Sequence, residues 1–342
     1  MPLSSVKKTT GLVGFAVLGA FLFMAATVGA APLPVVTLSP DSTSAMIQRA
    51  LDGLTDGGEV ILPAGKYVID RPVILNHDHL TLRGSGPGTL LLLANDANCP
   101  VILLGAAVSR VGRSTAHLRV ASLTIDGNRR HQPREFWQSA VDGSQLNNNG
   151  IDIWNTTDCE VTNVVCRHCR SGGLVASSGV RRLTVNNFTA FDSQFDGLAC
   201  YQTEDSHFSK LFLHDNLAAG ISLDLSFNHN VITDAELSEN DLGVFMRCSR
   251  DNQFTGITIR KSHNHGIFMA QTGNETKRGW QLVPGTECTG NNFADLNISD
   301  CGGKPFLINN ASCTNNVIAE VGILDAARDV LLQTGTKIGT IK

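Results

Sequence analysis

A glycine that returns at an almost constant interval is the strongest constraint on how this chain can fold. Gly150, Gly173, Gly197, Gly220, Gly243 and Gly266 are separated by 23, 24, 23, 23 and 23 residues. An aliphatic residue follows each: Ile151, Leu174, Leu198, Ile221, Val244 and Ile267. Two positions further come Ile153, Ala176, Cys200, Leu223, Met246 and Met269, with mixed and often polar residues between. Alternation of period two marks a strand, and a repeat of this length marks stacked supersecondary units. The repeat is too short for paired helices and lacks the fixed leucine and asparagine pattern of leucine-rich repeats. Segments such as SRDNQFTGITIRKSHNHG read as short strands separated by Asn, Asp, Ser and Gly. An all-β, single-stranded parallel β-helix of about 23 residues per coil fits, each coil pairing with the next about 4.8 Å along the axis. Asparagine suits the corners because it tolerates left-handed backbone angles and hydrogen-bonds at turns.

A solenoid grows without a domain boundary, so one core can use all 342 residues and their 42% hydrophobic content. The formal net charge of -4 gives no sign of a nucleic-acid partner. Lys7 and Lys8 precede an apolar run from Gly11 to Val28, followed by Gly29, Ala30, Ala31 and Pro32. That is the layout of a secretory signal peptide over residues 1–30, with an uncleaved anchor as the alternative. The expected location is secreted or periplasmic, with no membrane attachment after cleavage. The odd count of nine cysteines rules out complete internal pairing. Cys200 falls on an inward column, Cys166 and Cys169 read as packing or a local disulfide, and pairings among Cys288, Cys301 and Cys313 stay open.

Residues 31–58 read as an N-terminal segment with a helix that caps the open end of the core. Asp41-Ser-Thr-Ser starts it, Met46, Ile47, Ala50, Leu51 and Leu54 share its apolar face, and Gly57-Gly58 ends it. The β-helix then spans residues 59–325, and residues 326–342 form a last coil, cap or tail. Two insertions interrupt the coils. Gly127 to Asn149 carries Arg129, Arg130 and His131, and Gln271 to Gly290 carries Lys277, Arg278 and Trp280. One precedes the strand after Gly150 and the other follows the strand after Gly266, so both border one sheet five coils apart. Long loops flanking one face of a solenoid make a groove suited to a chain-like ligand.

If the residues one and three after each glycine point inward, those two and four after it point out. The outward columns read Asp152, Val175, Ala199, Ser222, Phe245, Phe268 and Trp154, Ser177, Tyr201, Asp224, Arg247, Ala270. Aromatic rings stack on sugar faces, and Arg holds a uronate carboxylate with two hydrogen bonds. The bland alternative is a face covered by the insertions, with Asp224 and Arg247 an ordinary cross-strand ion pair. The run Glu204-Asp205-Ser206-His207 reads as a solvated turn, with a calcium site as the alternative. No other cofactor is called for.

The run IQRALDGLTDGGEVILPAGKYVID, followed by HLTLRGSGPGTLLLL, resembles the opening of pectin-lyase-like right-handed parallel β-helix proteins. LTIDGNRR, at Leu123 to Arg130, is similar to a stretch of secreted mannuronan C5-epimerases. The resemblance covers the chain from about Ile47 to Met269 and implies a right-handed solenoid. It marks the fold better than the activity, since lyases, hydrolases, epimerases and non-catalytic proteins share it. The epimerases' Asp-Pro-His group falls at Val175-Ala-Ser177, and their further Asp falls at Tyr201. Shifting by one coil matches Asp152 but leaves Ile153 and Trp154 in place of Pro and His. Phe195-Asp196-Gly197 and Asn264-His265-Gly266 match polygalacturonase segments only in part, and no convincing carboxylate pair for glycoside hydrolysis stands out.

Uronate lyases and C5-epimerases share a first step, in which a base removes the C5 proton while positive charge stabilises the carboxylate dianion. Tyr201 and Arg247 are the types that relay protons, with Asp224 orienting them or binding metal. Asp152, Trp154, Phe245, Arg129, Arg130, His131, Lys277, Arg278 and Trp280 are expected to bind substrate. The expectation is an exported, monomeric protein that cleaves or epimerises an acidic polysaccharide. The alternative is a non-catalytic glycan-binding or envelope β-helix.

Overall fold

The computed structural model describes residues 32–105, 114–132, 148–276, 279–323 and 337–338. Residues 1–30, read from the sequence as a signal peptide, Lys277, Arg278 and nearly all of residues 326–342 lie outside these, and the side chain of Trp280 is not described. The chain winds as a right-handed parallel β-helix. Among the described residues the coils stack three parallel sheets, of fourteen, nine and six strands, and one separate two-stranded hairpin. The nine-stranded sheet carries the strands after the repeated glycines: Ile151–Trp154, Leu174–Ser177, Leu198–Tyr201, Ala219–Asp224, Leu242–Arg247 and Ile267–Ala270. They pair in register, Ile151 to Leu174 to Leu198 to Ile221 to Val244 to Ile267, and all six side chains are buried.

The glycine column exists because backbones approach too closely for a side chain. A Cβ on Gly150, Gly173, Gly243 or Gly266 would lie 2.4–2.6 Å from a carbonyl oxygen of the next coil. None of these four has positive φ. Gly243→Ala would place its methyl 2.4 Å from the Gly266 carbonyl and 2.6 Å from Ile259 Cγ2. Overpacking of this kind is expected to destabilise by about 1–3 kcal/mol, read as a lower urea midpoint.

In the coils from Asn155 to Lys261, four or five residues each sit in the left-handed region. In the coil after Tyr201 these are Gln202, Asp205, Lys210 and Asp215, with φ from 50° to 54°. Two coils later they are Cys248, Asp251, Gly256 and Lys261. Each non-glycine residue there costs about 1–2 kcal/mol, so something must over-determine the corner. Asparagine does this in a way its turn propensity alone does not suggest. Asn230, Asn252, Asn291 and Asn316 are fully buried, and none has positive φ. Each follows directly on a left-handed residue: His229, Asp251, Gly290 and Asn315. Their amides form a ladder along the axis, with Nδ2 of one donating to Oδ1 of the next at 3.2, 2.8 and 3.0 Å. The same nitrogens donate to the carbonyls of Thr203, Phe227, Ser249 and Cys288. A shorter ladder joins Asn216 to Asn240. Buried backbone groups at the corners are thereby satisfied without water.

The long strands, such as Glu160–Arg167, bend at one left-handed residue, here Asn163, and wrap two walls of the coil. Phenylalanines fill the interior, Phe254 and Phe293 stacking with centroids 4.6 Å apart. The capping helix is Ser44–Asp52, its Thr43 side chain accepting from Met46 N–H. It ends at Gly53, before the expected Gly57-Gly58. Ile47, Leu51 and Leu54 seal the core, whereas Met46 is 44% exposed and faces outward. The second insertion forms the antiparallel hairpin Gly273–Thr276 and Gly279–Leu282, directly after Ile267–Ala270. Among the described residues no helix is long and apolar enough to cross a membrane.

Candidate functional site

The outward columns of the nine-stranded sheet share one wall. Asp152, Val175, Ala199, Ser222, Phe245 and Phe268 follow one another in register, and Tyr201 lies beside Asp224. The N-terminal part of this wall is covered. Asp152 is 3% and Trp154 8% exposed. The amide of Asn149 lies on the Asp152 carboxylate, and Asn148 is tied to Asn98 at 3.0 Å. Asp152, expected as a substrate contact, is thus under the segment that leads into its own strand, and Trp154, expected as another, is buried as well. Burial pushes the Asp152 carboxyl up to about 8. Its unfolded-state value is near 3.8, so the folded state keeps a proton that the unfolded chain releases. Stability contributed by this group therefore falls as pH rises from about 4 to about 8, by ~1.4 kcal/mol for each pH unit between the two values. Asp152→Asn is expected to raise the thermal midpoint at pH 8 and leave it unchanged near pH 4.

Further along, the wall opens into a cavity of about 470 Å³. Tyr201, Ser222, Asp224, Leu242, Phe245 and Arg247 come from the strands, and Phe195, Asp196 and Asp241 from the turns before them. Three expected catalytic residues, Tyr201, Asp224 and Arg247, and the expected contact Phe245 therefore converge. Asp224 is anchored by the backbone N–H of Leu225 at 2.8 Å and paired with an Nη of Arg247. Its side chain is 5% exposed against 34% for Arg247, so the pair presents its cationic end to the cavity. The guanidinium carbon sits 5.0 Å from the centre of the Phe245 ring, and its Nε–H is buried with no partner among the described residues. Phe245 continues into Phe268, parallel within 5° and 5.8 Å away.

From the sequence, Asp196 stands out only within the partial polygalacturonase match. In the structure it accepts from Ala219 N–H at 2.9 Å and contacts the Ser222 hydroxyl, which also reaches Tyr201. Burial pushes its carboxyl up to about 7. Burial, and next the charge of Asp196, raise the Tyr201 phenol as well. A second signal is positional. Just before their coil glycines, the neighbouring coils carry Gly172, Ala219 and Leu242 where this coil carries Asp196.

Arg129, Arg130 and His131 do not reach this cavity. They form a short 3₁₀ turn and line a separate cavity of about 390 Å³ with Asp126, Asn128, His168 and Asp192. Arg129 pairs with Asp192 at 2.6 Å, and His168 lies between Asp126 and Asp192 at 3.1 and 3.5 Å. The glycine register located the insertion, but not the direction in which these ion pairs pull its first turn. In the Glu204-Asp205 run, both carboxylates are engaged by Arg181, at 3.7 Å for Asp205.

Three comparisons place the chain among known proteins. The family model described as "Periplasmic copper-binding protein (NosD)" matches residues 128–324. No match was found among curated proteins. Among solved structures, the mannuronan C-5 epimerase AlgE4 A-module of Azotobacter vinelandii aligns with TM-score 0.60 at 17% identity, covering 89% of this chain and 93% of that one. The PfbA surface adhesin of Streptococcus pneumoniae aligns with TM-score 0.61 at 15% identity, covering 85% and 86%. The family 28 exopolygalacturonase of Yersinia enterocolitica aligns with TM-score 0.59 at 11% identity, covering 86% and 72%.

Copper sites are built from thiolate, thioether and imidazole donors that converge. Among the described residues no three His, Cys, Asp or Glu side chains are placed to share a metal ion. Cys166, Cys169 and Cys200 point into the core, where burial raises their thiols and keeps them protonated. His79 and His117 stack face to face with centroids 4.6 Å apart, with no third donor beside them among the described residues. The described residues therefore do not fit a copper centre. The family model nonetheless spans more than half of the sequence, so this chain belongs to the NosD family, built on a right-handed parallel β-helix.

Proposed function

We propose that this is an exported protein that binds an acidic, uronate-containing polysaccharide and acts on it at the Asp196–Tyr201–Asp224–Arg247 cavity. One observation carries the reading: a buried carboxyl with a pKa of about 7, a protonated phenol and an arginine share one open cavity on a solenoid wall. Groups tuned in this way are what proton transfer at neutral pH requires. The epimerase and exopolygalacturonase of similar fold support a saccharide ligand, and the apolar N-terminal run with the family's periplasmic description supports export.

In this reading the polymer lies along the axis, with one pyranose against Phe245 and Phe268. Arg247 holds the uronate carboxylate and stabilises the charge that develops when C5 loses its proton. Asp196 takes that proton. Tyr201 then gives one either to the departing 4-oxygen, which is elimination, or to the opposite face of C5, which is epimerisation. Incubation with alginate, pectate and glycosaminoglycans in deuterated buffer distinguishes the two. Elimination yields unsaturated uronates that absorb in the ultraviolet, and epimerisation yields C5 deuterium in an uncut chain. Binding with neither product would leave a non-catalytic glycan binder, a reading favoured by the stacked Phe245–Phe268 surface and the adhesin of similar fold.

A further inference from the structure

We infer that Cys288 and Cys313 form a disulfide that staples the coil after the hairpin to the one that follows it. The sequence leaves three pairings open among Cys288, Cys301 and Cys313, and the register selects one. Asn292 pairs with Val317, and Asn291 is bonded to Asn316 in the amide ladder. Cys288 and Cys313 each lie four residues before the first of these pairs, so they occupy the same column in adjacent coils. The ladder fixes that column, since the amides of Asn291 and Asn316 hold the carbonyls of Ser249 and Cys288 at 3.0 and 3.1 Å. Adjacent coils are about 4.8 Å apart, within the Cα separation a disulfide spans. Both side chains are buried and point into the core. The backbone N–H of Cys288 donates to Cys313 Sγ at 3.5 Å, and the two side chains are in contact. Both are thiols in this structure.

The chemistry is a two-step exchange. Cys313 accepts from the side chain and backbone of Cys288, which holds its thiol below the ordinary value. As the thiolate it attacks a sulfur of a dithiol–disulfide oxidant, forming a mixed disulfide and expelling the oxidant's other sulfur as a thiolate. Cys288 then loses its proton and attacks Cys313 Sγ, closing the internal bond and releasing the oxidant as a dithiol. Two thiols have become one disulfide, and the oxidant has taken two electrons and two protons. Buried as they are, the sulfurs meet the oxidant before the last coil closes, in an oxidising compartment.

The bond would serve the base of the hairpin. Gln271, at the start of the insertion, donates to Val283 carbonyl at 2.7 Å and to Glu287 at 3.0 Å, and accepts from Ser312 at 2.6 Å. Glu287 is also paired with Arg250 at 3.2 Å. Cys288 follows directly, so a covalent link to Cys313 would tie the end of the insertion, the ladder and the following coil together near the C-terminal end of the solenoid.

The test is a peptide map of the full chain, exported by its own leader and alkylated under denaturing conditions without reductant. The expected result is one cross-linked species containing Cys288 and Cys313, two hydrogen masses below the sum of its peptides and split by reductant. Alkyl label on both cysteines without reductant, or a link from either to Cys301 or any other cysteine, would overturn it. As a second readout, reductant should lower the thermal midpoint of the wild type by several degrees and leave that of C288S/C313S unchanged. An equal response in both also counts against the bond. If the double variant does not fold, the wild-type map decides alone. Neither readout depends on whether the cavity turns over a polysaccharide.

Discussion

Asp196→Asn is expected to reduce turnover in the proposed reaction on an acidic polysaccharide by about 10²–10⁴-fold, the range for loss of a general base, while making the protein more stable. The two effects have one cause. A carboxyl with an ordinary value of 3.8, held at about 7 by burial, keeps its proton in the folded state and loses it in the unfolded chain. The wild type therefore loses stability as pH rises from about 4 to about 7, by ~1.4 kcal/mol for each pH unit in that window. Asparagine keeps an acceptor for Ala219 N–H and has no charge to desolvate. The thermal midpoint of the variant should thus exceed that of the wild type at pH 8 and match it near pH 4. The rate profile supplies a second check. The wild-type kcat/KM should rise with pH through a limb near 7, and the residual rate of the variant should lack that limb. A variant that is stabilised but fully active would show that Asp196 is a buried acid with no part in proton transfer. A fold that tolerates such a group where function requires it follows a common trade between stability and activity.

Asn252→Ala is expected to cost at least about 3 kcal/mol, the largest single effect on the fold, because it removes the middle of the amide ladder. The side chain donates to Phe227 carbonyl at 2.9 Å and to Asn291 Oδ1 at 2.8 Å. It accepts from the backbone and side chain of Asn230 at 2.9 and 3.2 Å. Alanine leaves those partners buried and unpaired, each at about 1–3 kcal/mol if no water enters. In a solenoid each coil leans only on its neighbours, so the damage should be local. Hydrogen exchange should accelerate in the coils around Phe227 and Asn291 and stay slow in the N-terminal coils near Val60. Uniform acceleration along the chain would mean that the ladder acts on global unfolding instead. Asn252→Asp makes a sharper comparison: the carboxylate can still accept both bonds but donates none, whereas the protonated acid regains one donor, so the variant should fall between alanine and wild type only where the acid is protonated.

The glycine interval alone was enough to read the coil length, the inward columns and the wall carrying Tyr201, Asp224, Phe245 and Arg247. Strand alternation and a fixed repeat are properties of the local chain, and a parallel ladder passes each register to the next coil unchanged. The reason for the glycines was not legible, because it lies in the carbonyl of the following coil and not in their own φ angles. The dual use of asparagine was half legible. Its presence at corners was plain, but which asparagines adopt left-handed angles and which bury their amides is settled only when coils stack. Met46, read as part of the apolar face of the capping helix, turned outward because three side chains, Ile47, Leu51 and Leu54, already close the end of the core.

What the sequence determined by itself was therefore everything with a period: the solenoid, its register, and the row of side chains standing on one wall. The tertiary structure decided what covers that row. The segment at Asn148 and Asn149 closes over Asp152, the ion pair with Asp192 draws the turn at Arg129 to another cavity, and the surrounding turns bury Asp196 until its carboxyl titrates near neutrality. Direction along a strand is local and repeats. Burial, and with it every shifted proton affinity, depends on atoms brought in from segments that have no period, and only the folded chain puts them in place.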